Sequence, residues 1–333
     1  MEKLRLAIIG CGIAARELHL PALKKLRDRI EIVALASRTR EKAKRLSQMI
    51  EPEPRVFDTV DELMLSGIAE AVDLALPTIL NPEFIEKALK CDLHVIAEKP
   101  IAINVENGKK VLALAKRSNK VLYIAENYRH IPVYKKACKM IASAEIGKPV
   151  FFFWKSTKEM KEKNKYAMTS WRKEPAHIAG FISDAGVHHI AAARTMLGDI
   201  EEVSAYLKRV RDYLGAEDTI TMNLLFENGA IGNYIASYGL EFGNEISIIG
   251  TEGNMYIEGN KIKVFTAGSQ KTMEAPNSDG FFEEFSDFYD VVKFGKENLL
   301  GSPAQALKDL TVIEAAVKSF RERELVKVAR LLE

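Results

Sequence analysis

The sequence predicts an α/β protein: a doubly wound parallel sheet, then a second α/β domain built on a mostly antiparallel open sheet. Three observations carry this. Strand and helix signals alternate through the first third of the chain. The strands there are short continuous apolar runs, as strands covered on both faces require. Past residue 126 the alternation stops, and strand signals follow one another across tight turns.

The first strand, Leu6-Ala7-Ile8-Ile9, ends at Gly10. A helical segment follows, interrupted at Pro21, which opens a second helical piece where its missing N–H costs little. Ile30–Ala36 is the second strand and Glu41–Met49 a charged helix. Val56-Phe57 is a short third strand and Asp61–Leu65 a short helix. Val72–Leu76 is the fourth strand, Pro82–Lys90 a helix, His94–Ala97 the fifth strand, Asn104–Ser118 a long helix and Val121–Ala125 the sixth strand. Repeated alternation of this kind defines a parallel doubly wound sheet.

In the remainder, Phe151–Ser156 reads as a strand and Gly180–Leu197 as one helix. Strand-like stretches follow at Val203–Val210, Thr219–Phe226, Ala230–Ser237, Glu245–Ile249, Met255–Ile257 and Ile262–Phe265. Asn228-Gly229 between two of them is a strong hairpin signal. Helices at Phe281–Phe294 and Pro303–Arg321 close the chain. The boundary falls near Glu126, giving domains 1–125 and 126–333, although the last helices could pack back on the first domain.

Composition narrows the class. A chain of 333 residues is expected to hold two domains, and 47% hydrophobic with 28% charged residues suits a globular core. The net charge of +2 is spread without a like-charge block, so no nucleic-acid-binding arm is expected. The basic run Lys155–Lys165 reads as a solvated loop. No apolar run approaches the roughly 20 residues of a membrane span. Met1–Arg5 leads straight into a strand without a signal-peptide pattern, so a cytoplasmic location is expected. Cys11, Cys91 and Cys138 form no CxxC, which suggests neither disulfides nor zinc.

Gly10-Cys11-Gly12-Ile13-Ala14-Ala15 fits G-x-G-x-x-A, directly after a buried strand and opening a helix. The first glycine permits the tight turn, the second lets the backbone approach a pyrophosphate, and the small third position permits close helix–strand packing. A bound pyrophosphate would meet free N–H groups and the positive end of a helix dipole. An NAD enzyme usually carries a carboxylate at the end of the second strand, to hold the ribose 2′-OH. Here the sequence is Ala36-Ser37-Arg38-Thr39-Arg40, and guanidinium groups suit a 2′-phosphate. NADP is therefore favoured over NAD.

Three further features bear on chemistry. Glu98-Lys99-Pro100 follows the fifth parallel strand, on the rim where open α/β sheets bind ligands. Asp184-Ala185-Gly186-Val187-His188-His189, if helical, places Asp184 and His188 one turn apart, where the acid can orient and tune an imidazole. His189 projects about 100° away, so the two histidines do not share one role. Trp171-Arg172, just upstream, could wall a pocket and bind an anionic group, or simply pin its loop. Lys99 alone could be a surface charge, and Asp184/His188 alone a surface pair. A zinc site from His177, His188 and His189 has no HExxH spacing to support it.

With these pieces in hand, the whole chain resembles the Gfo/Idh/MocA oxidoreductase family. The matching segments, in family order, are the Gly10–Ala15 turn, Leu76-Pro77-Thr78, Ala97-Glu98-Lys99-Pro100, Tyr128-Arg129, Trp171-Arg172 and Asp184-x-Gly186-x-His188. The resemblance implies a Rossmann domain and a substrate domain whose open sheet often mediates homodimers or homotetramers. It implies a nicotinamide between the domains, near Lys99, Asn127 and Asp184/His188. It implies hydride transfer at a hydroxyl or carbonyl carbon of a sugar, cyclitol or related polyol.

The expected cofactor residues are Gly10, Gly12, Ile13, Ala14, Ala15, Ser37, Arg38, Leu76, Pro77, Glu98, Lys99 and Asn127. The expected substrate residues are Lys99, Tyr128, Arg129, Trp171, Arg172, Asp184, His188 and His189, with Lys99, Asp184 and His188 catalytic. Two departures stand out: Ala191 replaces an Asp common three residues after the histidine, and Asn81 stands where many members carry His. A dinucleotide-sensing protein without turnover is the alternative on the same fold.

Overall fold

The computed structural model describes residues 2–331. The chain divides into two compact units. One comprises the residues up to Asn127 together with Asp279–Leu307; the other comprises Tyr128–Ser278 and the residues from Lys308 onward. The helix Phe281–Phe294 thus belongs to the first unit, although it follows the second unit's strands in sequence.

The first unit is a six-stranded sheet among the described residues: β1 (Leu4–Ile9), β2 (Ile30–Ala36), β3 (Arg55–Val56), β4 (Ala71–Leu74), β5 (His94–Glu98) and β6 (Leu122–Ala125). Its order is β3-β2-β1-β4-β5-β6 and every pair is parallel. This is the doubly wound order with its reversal between β1 and β4, where such sheets bind ligands beyond the strands' carboxyl ends. Leu4, Leu6, Ala7 and Ile8 are fully buried, which is why the run carries no polar alternation.

Local chemistry starts the helices where it should. Thr59 accepts from Glu62 N–H at 3.1 Å, and the Glu62 carboxylate accepts from Thr59 N–H at 3.3 Å, closing a capping box on Val60–Leu65. Asn104 caps Val105–Arg117 by accepting from Asn107 N–H at 2.9 Å. The helical segment after Gly10 contains a π turn at Ala15–His19, and Leu20–Lys25 continues as α-helix with Pro21 in its first turn. The interruption expected at Pro21 is thus taken up just before it, in the π turn.

The second unit holds a nine-stranded sheet among the described residues: β7 (Pro149–Thr157), β8 (Ile200–Lys208), β9 (Thr219–Phe226), β10 (Ile231–Ser237), β11 (Gly243–Gly250), β12 (Gly253–Glu258), β13 (Lys261–Thr266), β14 (Ser269–Glu274) and β15 (Val326–Lys327). Its order is β14-β13-β12-β11-β7-β10-β9-β8-β15. Only β7 and β10 pair in parallel among these. Asn228-Gly229 makes the β9–β10 hairpin.

One face of this sheet carries Phe152, Trp154, Tyr234 and Ile248, all buried, in a core shared with the helices Pro132–Ala142 and Gly186–Leu197. Lys155 lies in β7 rather than in a loop, and pairs with Glu245 at 3.2 Å. The helix Pro132–Ala142 was not anticipated. Its buried Val133, Ala137 and Met140 nevertheless stand at helical spacing behind an N-terminal proline.

Candidate functional site

The first unit's candidate residues gather at the carboxyl ends of adjacent parallel strands. Gly10 follows β1, Ser37 and Arg38 follow β2, Leu76 and Pro77 lie just past β4, and Glu98 ends β5 with Lys99 directly after it. The two glycines of the turn answer different needs. Gly10 has φ +96°, and a Cβ there would fall on the Ala75 carbonyl oxygen and lie 2.9 Å from Leu76 Cδ2. It is a glycine because the β1 and β4 ends approach each other at the reversal of strand order. Gly12 has no such constraint: a Cβ there would meet nothing within 4 Å. No neighbour in the protein requires that glycine, so open space lies in front of the backbone where the helix begins, as a pyrophosphate needs. Ala15 is fully buried and supplies the close packing of the third position.

Past β2, Arg38 is exposed and forms no ion pair among the described residues, whereas Arg40 pairs with Asp58 at 2.9 Å. Asn127 is buried, and its Nδ2 donates to the Asp279 carbonyl at 2.6 Å. That commits the Asn127 amino group to tying down the segment before Phe281–Phe294, and leaves its amide oxygen for any ligand.

Behind the β4 and β5 ends lies a buried polar group the sequence did not reveal. His19 is fully buried; its Nδ1 lies 2.8 Å from Asp73 Oδ2 and its Nε2 2.9 Å from Glu98 Oε1. Burial by itself lowers the imidazole pKa, but Asp73 and Glu98 outweigh it and hold His19 well above its ordinary value. Glu284, from the helix Phe281–Phe294, is also fully buried. Burial first, then the nearby Glu98 charge, raises its carboxyl well above the usual range. Cys11 is pushed up to about 12 by burial and by Asp73, so it is an inert thiol in the glycine turn. Residues 19, 73, 98 and 284 are too distant in sequence for any local pattern to link them.

In the second unit the structure adds partners to several of the expected residues. The helix read as Gly180–Leu197 is two helices, Gly180–Asp184 and Gly186–Leu197, parted at Ala185. Asp184 accepts from Arg172 Nε at 2.7 Å. The Arg172 guanidinium also stacks 3.9 Å above the Trp171 ring. Trp171, Arg172 and Asp184 thus form one cluster, and Arg172's charge is answered by Asp184. His188 is half-buried, and its ring stacks on Tyr128 with centroids 4.7 Å apart and planes 20° apart. The Tyr128 ring thus lies against His188, a contact that no spacing in the sequence signals.

Two expected substrate residues have internal partners. Arg129 is buried, with its guanidinium on the Asp309 carboxylate, which Arg194 also binds. His189 is buried, with Nδ1 2.6 Å from Tyr234 Oη and Nε2 3.3 Å from Ser156 Oγ. These partners lie 180 and 45 residues away, and neither distance leaves a periodic trace.

A doubly wound nucleotide unit with a glycine cradle at its strand reversal, joined to a second α/β unit, defines the dinucleotide-dependent oxidoreductase class. Residues 4–126 match the family model described as oxidoreductase family, NAD-binding Rossmann fold, and residues 134–256 match the GFO/IDH/MocA C-terminal domain. The chain belongs to the Gfo/Idh/MocA oxidoreductase family.

It is similar to an oxidoreductase of Thermotoga maritima whose crystal structure is known, with 50% identity, TM-score 0.94, and 98% of this chain and 99% of that one covered. The protein YMR315W of Saccharomyces cerevisiae is 32% identical, covering 96% of both chains. A D-apiose dehydrogenase of Paraburkholderia graminis is 24% identical, covering 83% of this chain and 73% of its own. Among the described residues no helix is long and apolar enough to cross a membrane.

Proposed function

We propose that the protein transfers a hydride between NADP(H) and the hydroxyl-bearing or carbonyl carbon of a sugar, cyclitol or related polyol. The observation that carries this reading is the rim of the first unit's sheet. The open Gly12 cradle, the Leu76-Pro77 turn and Lys99 leave β1, β4 and β5 side by side. The sugar class is supported by the D-apiose dehydrogenase relative.

The dinucleotide, when bound, supplies or takes up the hydride at its nicotinamide ring. The backbone N–H groups after Gly12 bind its pyrophosphate. Arg38, exposed at the end of β2 where no carboxylate stands, pairs with a 2′-phosphate and favours NADP over NAD. His188, held by the Tyr128 ring, exchanges a proton with the substrate oxygen. Lys99 donates to the same oxygen and stabilises negative charge as it develops. Asp184, bonded by Arg172 at the start of the His188 helix, orients that imidazole.

The second sheet supports self-association. On its face away from the helices, Phe151 lies across from Ile231 and Ile249, and Ile231 across from Leu225. Ile231 and Ile249 are exposed. Sedimentation analysis should show a homodimer or homotetramer, and an Ile231→Lys variant should be monomeric.

The reaction is tested by absorbance at 340 nm against a panel of sugars, polyols and their carbonyl forms, followed by single-turnover kinetics. His188→Ala and Lys99→Met are expected to slow hydride transfer by at least about 100-fold. Near-wild-type rates in both would overturn the mechanism. Dinucleotide binding with no turnover on any substrate would favour a sensing role. For the cofactor, Arg38→Ala should weaken NADPH binding and leave NADH binding unchanged. Tighter NADH than NADPH binding in the wild type would reverse the preference.

A further inference from the structure

Lys99 is the residue on which the proposed chemistry leans in the first unit, and the polar groups around its backbone converge to an unusual degree. Asn81, at the start of the helix Asn81–Lys90, is fully buried. Its Nδ2 donates to two carbonyls, that of Glu98 at 2.6 Å and that of Pro100 at 3.1 Å. One amide nitrogen therefore straddles Lys99, holding the residue on either side of it. From the opposite direction, His19 Nε2 lies 2.9 Å from the Glu98 carboxylate while Nδ1 lies 2.8 Å from Asp73. The ring bridges β4 and β5 through a carboxylate on each nitrogen, an arrangement that favours the imidazolium, in which both nitrogens donate. Phe281 and Phe285 close over it, with ring centroids 6.0 and 5.3 Å away.

We propose that Asn81, His19 and Glu98 are positioning residues for Lys99. Together they form a clamp that sets where the lysine leaves the β5 rim. Successive residues of an extended chain project to opposite sides, so anchoring the Glu98 side chain inward directs Lys99 outward. Asn81 then fixes the backbone on both flanks. Buried ion pairs are no cheaper than well-packed apolar residues. What an apolar filler cannot do is hold the Glu98 carboxylate and the two flanking carbonyls in one arrangement. An error of about 1 Å in a proton-donating group can cost roughly 100-fold in rate.

This inference rests on the role given to Lys99 above, so its test reads Lys99 directly and does not depend on turnover. The full-length protein is labelled with trace acetic anhydride across a pH series, and Lys99 acetylation is measured by peptide mass spectrometry, with the other lysines as internal standards. Asn81→Ala and Glu98→Ala are expected to change Lys99 reactivity by at least threefold relative to those standards. Glu98→Gln, whose amide oxygen still accepts from His19, should remain within twofold of wild type. NADPH affinity, measured by fluorescence, should stay within twofold in Asn81→Ala, which lies outside the cofactor-binding set.

Unchanged Lys99 reactivity in folded Asn81→Ala and Glu98→Ala would overturn the clamp. So would Glu98→Gln behaving like Glu98→Ala. If Glu98→Ala does not fold, Asn81→Ala alone decides, with threefold change supporting the clamp and wild-type reactivity refuting it. A Lys99→Met enzyme that transfers hydride at the wild-type rate would refute the role of Lys99 in the reaction, while altered labelling in Asn81→Ala would still establish the clamp.

Discussion

Replacing Gly10 or Gly12 by alanine should separate folding from cofactor binding within one three-residue turn. At Gly12 a new methyl group meets no atom within 4 Å, and the residue is not in the left-handed region. Gly12→Ala should therefore leave the folded protein as stable as wild type, or more stable by about 0.4–1 kcal/mol, because the unfolded chain loses freedom. The same methyl group would stand where a pyrophosphate approaches the backbone. Losing two hydrogen bonds to a charged group, at about 1.5–3 kcal/mol each, predicts weakening of at least roughly 100-fold.

Gly10→Ala should do the reverse. Its φ of +96° and the collision with Ala75 and Leu76 predict a cost of about 2–5 kcal/mol, from backbone strain and overpacking together. Thermal unfolding followed by circular dichroism and NADPH titration followed by fluorescence measure the two effects on the same samples. NADPH binding to Gly12→Ala within threefold of wild type would show that the pyrophosphate does not lie against this turn. A Gly10→Ala protein as stable as wild type would contradict the close approach of the β1 and β4 ends.

Three other expectations follow from buried groups and rings. Arg129→Ala should lower stability by about 3 kcal/mol in urea unfolding, because it strips a buried carboxylate of one of its two guanidinium partners, and should leave the substrate KM unchanged; a raised KM at full stability would restore Arg129 to the substrate. Tyr128→Ala should slow single-turnover hydride transfer by roughly 3–10-fold, the equivalent of losing an aromatic stack of about 0.5–1.5 kcal/mol, and an unchanged rate would remove Tyr128 from the orientation of His188. Glu284, facing Glu98, His19, Glu126 and Asp73, keeps its proton in the native state well above the pH at which the unfolded chain releases it. Between those two values the native state binds the extra proton, so stability falls as pH rises from about 4.5, at about 1.4 kcal/mol per pH unit for that group. His19, also raised, adds loss in the same direction from about pH 6.5 upward. Glu284→Gln should flatten the fall between pH 5 and 8, and parallel stability curves for the two proteins would refute this.

The parts of the protein legible in the sequence are those governed by neighbours in the chain. Continuous apolar runs such as Leu6–Ile9 and Ile30–Ala36 mark buried strands, because both faces lie under helices. The G-x-G-x-x-A turn, the missing carboxylate after β2 and the Lys99 position on the β5 rim are also local facts, tied to strand ends that the apolar runs locate. By contrast, β14 is a polar, exposed edge strand and β15 is two residues long, so neither leaves a periodic signal. The break at Ala185 likewise has no proline to announce it.

Which partner each polar side chain takes was a matter for the tertiary structure. The sequence places Asp184 one turn before His188; the fold adds Arg172 to Asp184 and sets the Tyr128 ring against His188. Arg129 and His189 read as ligand-facing in the sequence, and the fold pairs them with Asp309 and Tyr234. The His19–Asp73–Glu98 bridge and the Asn81 contacts exist only because parallel strands and their crossover helices bring distant residues to one sheet edge. Sequence by itself determined the class of fold, the nucleotide turn and the lysine at its rim, because hydrophobic periodicity and glycine geometry act over a few residues. Only the tertiary structure decided how that lysine is held and which charges are internal, because burial pairs each charge with whatever the fold brings within 3 Å.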